Sequence, residues 1–257
     1  MTSAEQIARL DAAMRPFPVD YAFIGGGVLS LLVTDPSASA VRVTMDVDVL
    51  TDTHTRRDYQ RLERPLSERG FHHDMTSGAP ICRWRYEGIV VDILPIHRSV
   101  LGWESRWFRE ALASARPVPL GDRSVRIVAA PYFVALKLEA FEDRGRGDMI
   151  MSHDFEDVIC LFDGRPELVA EIRASPEDLR RYLSDHFARY LAAPDLEAAI
   201  EGFVQTEPSP ESRMAAILTR FHEVAVLATA SLSPLPPARA VAGPPSPPRN
   251  ERLPAPP

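Results

Sequence analysis

Apolar positions along the chain follow two regimes. Up to about residue 128, short apolar runs separated by Gly, Pro, Asp and Ser predict strands; beyond it, apolar residues recur every three or four positions and predict helices. Thr2-Ser3 with Glu5 and Gln6 starts a first helix, IARLDAAM, which runs to the breakers Pro16 and Pro18. Strands are expected at 19–24 and 41–50. A short helix over 28–33 and a turn-rich loop, DPSAS, lie between them. A helix over 53–69 contains Pro65, which should kink or divide it, and Gly70 ends it. FHHDM, PICRWRY and IVVDILP read as strands, the last two forming a hairpin around Glu87-Gly88. SVLGWESRWFREALASA is irregular and then helical, and RPVPL and SVRIV are short strands around Gly121-Asp122. Pro131 opens the helix YFVALKLEAFEDR, Gly145 and Gly147 interrupt it, and Ser152 caps a helix to residue 162. Four further helical segments follow, from LVAEIRA to SPESRMAAILTRFHEVAVLATA.

Strands first and helices afterwards imply an α+β chain: a sheet domain over 1–128 and a helical domain over 129–230. Residues 231–257, LSPLPPARAVAGPPSPPRNERLPAPP after Ser231, are proline-dominated and expected to be disordered or extended.

Composition changes this picture little. The chain has 257 residues, 45% hydrophobic and 25% charged, as in ordinary globular proteins. No apolar run is long enough to span a bilayer and the first residues lack a signal-peptide core, so a cytoplasmic location without membrane partners is expected. Cys82 and Cys160 are read as buried reduced thiols. A net charge of −7 argues against general coating of nucleic acid. Two local mixtures could still contact phosphates and bases: Arg83 and Arg85 around Trp84, and His97, Arg98, Arg106 and Arg109 with Trp103 and Trp107. The plainer reading is a solvated face with its tryptophans packed inward.

The candidate chemistry gathers between residues 25 and 48. In a strand, side chains alternate faces, so Asp46 and Asp48 of VTMDVDVL project together. Two adjacent like charges need an offset, and a divalent cation held by carboxylate oxygens is the usual one. Mg²⁺ or Mn²⁺ suits such oxygens. Thr44 shares their face. Gly25, Gly26 and Gly27 follow an apolar strand and precede a helix, where backbone N–H groups can approach phosphate oxygens; Ser30, one turn on, could add a hydrogen bond. Metal carboxylates beside a phosphate cradle suggest nucleoside triphosphate chemistry. Asp92 is the one charge in the apolar run IVVDILP and a natural third ligand, since an unpaired carboxylate there is costly. Lys137 sits in the apolar stretch ALKLEAF and can serve as a compact phosphate-binding charge. No GxSxG, Cys/His pair or P-loop supports a different chemistry, and His153-Asp154 lacks the spaced upstream histidines of a phosphohydrolase metal pair.

The order of apolar strand, Gly-Gly, short helix, Thr44-x-Asp46-x-Asp48, VVDILP and KLEAF resembles the nucleotidyltransferase superfamily that includes DNA polymerase beta. Within it, the chain looks most like the AbiEii/AbiGii nucleotidyltransferase toxins, over roughly residues 19 to 163. The resemblance implies a nucleotidyltransferase-type mixed sheet followed by a helical domain. It also implies an NTP substrate, an RNA acceptor such as the 3′ end of a transfer RNA, and a cognate antitoxin. It gives functional places to Asp92 and Lys137, then to an arginine, matched by both Arg144 and Arg146, and to an Asp-x-x-Asp helix, matched by Asp154 and Asp157. Two alternatives stay open: a small-molecule nucleotidyltransferase of the aminoglycoside-modifying sort, for which an acidic acceptor cleft would speak, and a nucleotide-binding module of the same fold without turnover.

Overall fold

A computed structural model describes residues 1–15, 19–145, 147–204 and 210–228. The expectations for Arg146 and for the tail over 231–257 lie outside the described residues. The chain begins with α1 (Ser3–Met14), whose Thr2 and Glu5 form the reciprocal cap read from the sequence. It continues through β1 (Tyr21–Ile24), a 3₁₀ turn (Gly26–Val28), α2 (Leu29–Leu32), β2 (Asp46–Thr51), α3 (Arg56–Glu68), β3 (His72–His73), β4 (Arg83–Tyr86) and β5 (Ile89–Pro95). Then come α4 (Arg98–Leu101), α5 (Phe108–Ser114), β6 (Arg116–Leu120) and β7 (Arg123–Ile127). Six helices follow: α6 (Ala130–Arg144), α7 (His153–Gly164), α8 (Leu168–Arg173), α9 (Glu177–Leu191), α10 (Leu196–Phe203) and α11 (Pro210–Ala225). The α+β order expected from the sequence is therefore observed.

The seven strands form one mixed sheet in the order β3-β4-β5-β2-β1-β7-β6. β2 sits at its middle, parallel to β5 on one side and antiparallel to β1 on the other. Its pleat divides its chemistry: Val47 and Val49 are fully buried, while Asp46 and Asp48 face the other way and stay partly exposed. β5 is buried along nearly its whole length, as a strand paired on both sides should be. On the helical side, Phe141 of α6 meets Phe155 of α7 at a ring separation of 5.1 Å, and Phe162, Phe187 and Phe221 close a second aromatic cluster between α7, α9 and α11.

Both expected hairpins form. Glu87 and Gly88 both have positive φ, 46° and 81°, as a tight two-residue turn between twisted strands requires. Three expectations are corrected. The second strand starts at Asp46 rather than near 41, because residues 41–45 pair with no strand and leave Val43 and Met45 exposed. The loop before it is instead anchored to the helical half: the Thr34 and Asp35 N–H groups donate to the Gly164 carbonyl at 2.8 and 2.9 Å, Arg213 of α11 reaches Asp35 at 3.4 Å, and Arg42 pairs with Glu156 and Asp157 of α7. Pro65 does not divide α3, since it falls in the last turn, where little helix remains to disrupt. The helix after the glycines shrinks to a 3₁₀ turn and four residues, which leaves it little dipole to offer an anion.

Candidate active site

Register builds one wall of the site. The turn at Glu87-Gly88 sets Arg83 of β4 directly opposite Asp92 of β5, and the parallel pairing of β5 with β2 sets Asp92 opposite Asp48. Arg83, Asp92 and Asp48 therefore form one row across three strands, on one face of the sheet. Asp46 lies two residues before Asp48 on that face. Arg83 holds Asp92 with both ends of its fork, Nε to Oδ1 at 2.8 Å and Nη2 to Oδ2 at 2.7 Å, and the same Nη2 donates to Asp46 Oδ2 at 3.0 Å. These bonds raise the Arg83 pKa further above its ordinary value. Asp48 makes no hydrogen bond or ion pair among the described residues. Burial and the neighbouring Asp46 and Asp92 charges push its carboxyl up to about 7.

The glycines serve this wall first. Gly25 has φ 70° and ψ −172°, a region open almost only to glycine, and a Cβ there would stand 1.9 Å from Asp48 Oδ2. A Cβ on Gly26 would stand 2.7 Å from Thr44 Cγ2, while one on Gly27 would meet only ordinary contacts. Thr44 is buried, and its hydroxyl has no hydrogen-bond partner among the described residues. Ser30 is exposed and does not line the cleft.

The opposite wall comes from α6 and α7. Lys137 Nζ lies 3.1 Å from Asp154 Oδ1 and 2.6 Å from Asp157 Oδ2. Arg144 grips Asp154 with two bonds of 2.8 and 3.0 Å. Arg42, from the segment before β2, stands 3.3 Å from Glu156 and 3.6 Å from Asp157. Burial pulls the Lys137 ammonium down, but Asp157 and Asp154 more than offset it, and its pKa is raised. Burial likewise pushes the Asp154 carboxyl up, yet Arg144 and Lys137 hold it below the usual carboxylate range.

Between the walls is an open cleft of about 680 Å³. Of the residues singled out in the sequence, Gly26, Thr44, Asp46, Asp48, Asp92, Lys137, Arg144 and Asp154 line it; Gly25 and Asp157 stand behind these. Arg42, Met45, Arg83, Asp148, Met151 and His153 also line it and were not assigned to this site from the sequence. Arg83 could have been found by counting back from the Glu87-Gly88 turn, which pairs it with Asp92. Of the Arg83, Trp84 and Arg85 mixture, Arg83 lines the cleft, whereas Trp84 is fully buried and Arg85 pairs with Asp74 at 2.9 Å. Trp107 is buried beneath Arg106, and Trp103 is exposed.

Among the described residues, no three His, Cys, Asp or Glu side chains converge closely enough as they lie to hold a metal ion. The donor set nonetheless fits a hard divalent cation. Three carboxylates meet on one wall, a guanidinium already stands between two of them, and the third is uncompensated. Cys82 and Cys160 are free and buried, their thiols pushed up to about 12 by burial, so neither competes as a ligand or nucleophile. No described helix is long and apolar enough to cross a membrane.

No protein-family model matches the chain, so the likeness to the AbiEii/AbiGii toxins has no such match behind it. No curated protein matches it either. Solved structures do. An antigenic nucleotidyltransferase-like protein from Paracoccidioides brasiliensis is 20% identical over 79% of this chain and 93% of its own, with a TM-score of 0.47. The antibiotic-resistance factor ANT(2'')-Ia is 13% identical over 74% of this chain and 96% of its own, with a TM-score of 0.46. These are loose superpositions, and the functional reading rests on the site itself.

Proposed function

We propose that the protein is a divalent-cation-dependent nucleotidyltransferase that moves a nucleoside monophosphate from an NTP to an acceptor. One observation carries this reading: Asp46, Asp48 and Asp92 are brought by strand register onto one wall of an open cleft, and Asp48 has no hydrogen-bond or ion-pair partner among the described residues. Asp46, Asp48 and Asp92 would hold Mg²⁺ or Mn²⁺. Such an ion, when bound, neutralises charge on the leaving pyrophosphate and lowers the pKa of the attacking oxygen. The chain's own part is positioning. The Gly25-Gly26 turn leaves room for the Asp48 and Thr44 side chains, both of which line the cleft, and Thr44 would orient an aspartate or bind the substrate. Lys137 and Arg144, fixed by Asp154, present positive charge from the other wall to a triphosphate.

The finer proposal follows from the resemblance of the motifs to the AbiEii/AbiGii family: the acceptor is RNA, such as the 3′ end of a transfer RNA, and the protein is a toxin with a cognate antitoxin. The cleft's charges decide nothing here, because the described lining holds Asp46, Asp48, Asp92, Asp148 and Asp154 against Arg42, Arg83, Lys137 and Arg144. The test is incubation with each α-labelled NTP, Mg²⁺ and either total cellular RNA or an aminoglycoside panel, beside an Asp46→Ala/Asp48→Ala control. Label in a discrete RNA band, only with the intact pair, is the expected result. Label in the aminoglycoside would replace the RNA reading. Nucleotide binding with no labelled product at all would leave a binding module.

A further inference from the structure

Among the described residues, the cation bonded to Asp46 and Asp92 is a side chain of the protein itself, Arg83. Arg83 Nη2 stands 2.7 Å from an oxygen of Asp92 and 3.0 Å from an oxygen of Asp46. A Mg²⁺ ion shared by those two carboxylates would need both oxygens at about 2.0–2.1 Å. Nitrogen and metal cannot both stand between the same two oxygens. The remaining Asp92 oxygen is also taken, by Arg83 Nε at 2.8 Å. The guanidinium has room to leave, since its side chain is 29% exposed and borders the open cleft.

We infer that Arg83 is a built-in counter-cation that competes with the divalent ion: it holds Asp46 and Asp92 until a metal takes them, and must be displaced for one metal ion to be shared by both. The inference rests on the reading above that these aspartates take a divalent cation. Two consequences follow from the geometry. Arg83 stabilises the wall before metal arrives, because like charges on adjacent strands repel without it. It also weakens cation binding, because metal must break three charge-assisted hydrogen bonds. Arg83 is thus a positioning residue that sets the metal concentration at which the site fills.

The test uses the full chain and Mn²⁺ alone, with free Mn²⁺ followed by electron paramagnetic resonance and no nucleotide present. Arg83→Gln is expected to bind Mn²⁺ more tightly by on the order of tenfold, the scale of coupling between competing occupants. Arg85→Gln removes the same charge two residues along the same strand, where the partner is Asp74, and should change the affinity less than twofold. Arg83→Lys keeps the charge but loses the fork, so it should fall between wild type and Arg83→Gln, and it serves if the glutamine variant does not fold. Without metal, Arg83→Gln should melt below wild type, and saturating Mn²⁺ should raise its melting temperature by more. Equal Mn²⁺ affinity in all four proteins, or equal tightening by Arg83→Gln and Arg85→Gln, overturns the competition while leaving the metal site standing. No Mn²⁺ binding by any of them overturns the functional reading and this inference together.

Discussion

On the sheet side of the cleft, Asp46, Asp48 and Asp92 face one base, Arg83; on the helix side, Asp154, Asp157 and Glu156 face Lys137, Arg144 and Arg42. The side chains are of the same kinds, yet the carboxyls respond in opposite directions. Asp48 is pushed up to about 7, while Asp154 is held below the ordinary range despite its burial. Burial pushes both carboxyls upward and is the largest cause at Asp48; at Asp154 the partners within hydrogen-bond reach, Arg144 and Lys137, outweigh it. A wall whose charges are matched is a structural clamp. A wall left short of positive charge is, on the function proposed above, the one that would take a further cation, within a cleft whose overall charge is nearly even.

The largest expected effect comes from the uncompensated wall. Asp48→Asn should reduce nucleotidyl transfer by at least roughly 10²–10³-fold, the scale for loss of a group that stabilises developing charge. It should leave the fold intact, as a labelled-NTP assay beside circular dichroism would show. Unfolding instead of inactivation would mean that the sheet wall is structural and the comparison is drawn the wrong way round.

Next in size is the matched wall. Lys137→Met leaves Asp154 and Asp157 partly unpaired in a buried setting, where removal of one partner costs about 3–5 kcal/mol. For a chain of this size that lowers Tm by on the order of ten degrees. Adding Asp157→Asn should recover much of the loss in a thermal melt without restoring transfer. A Lys137→Met protein that melts like wild type would show that α6 and α7 do not depend on this clamp.

A smaller effect is expected at Gly25. Alanine there must adopt a backbone region worth about 1–3 kcal/mol of strain and meet Asp48 Oδ2, so chemical denaturation should shift by that amount and transfer should fall with it. The role of Gly25 bears on what was legible beforehand. The glycine and aspartate motifs, and the one charge in IVVDILP, could be read from residue order because strand alternation and burial act locally. That Gly25 makes room for Asp48, rather than for a ligand first, needed tertiary packing. Arg83 was visible in principle, since the turn at Glu87-Gly88 fixes its partner by counting, yet its neighbour Trp84 suggested a surface patch. Arg42 gave no such signal: residues 41–45 read as strand, and only their anchorage to α7 brings Arg42 to Glu156 and Asp157. The one-turn spacing of Asp154 and Asp157 suggested salt bridges to Arg144 or Arg146 as readily as catalysis, and it did not point to Lys137 as their shared partner.

The last expected effect turns on pH. The Asp48 carboxyl titrates near 7 in the folded chain and near 3.8 when exposed, so between those values the folded state binds the extra proton. Stability from this group is therefore complete below about pH 3.8 and is lost as pH rises through 7. Asp48→Asn cannot ionise. Its melting temperature in chelating buffer should match wild type near pH 4 and exceed it at pH 8. A divalent cation should reverse the ordering of conditions for wild type: at pH 5.5 it must displace a proton from Asp48, whereas at pH 8 it meets a free carboxylate. Mn²⁺ should then raise the wild-type melting temperature more at pH 8 than at pH 5.5, with little such dependence in Asp48→Asn. If the Mn²⁺ shift were the same at both values, Asp48 would not be the uncompensated group, and the two walls would differ only in composition.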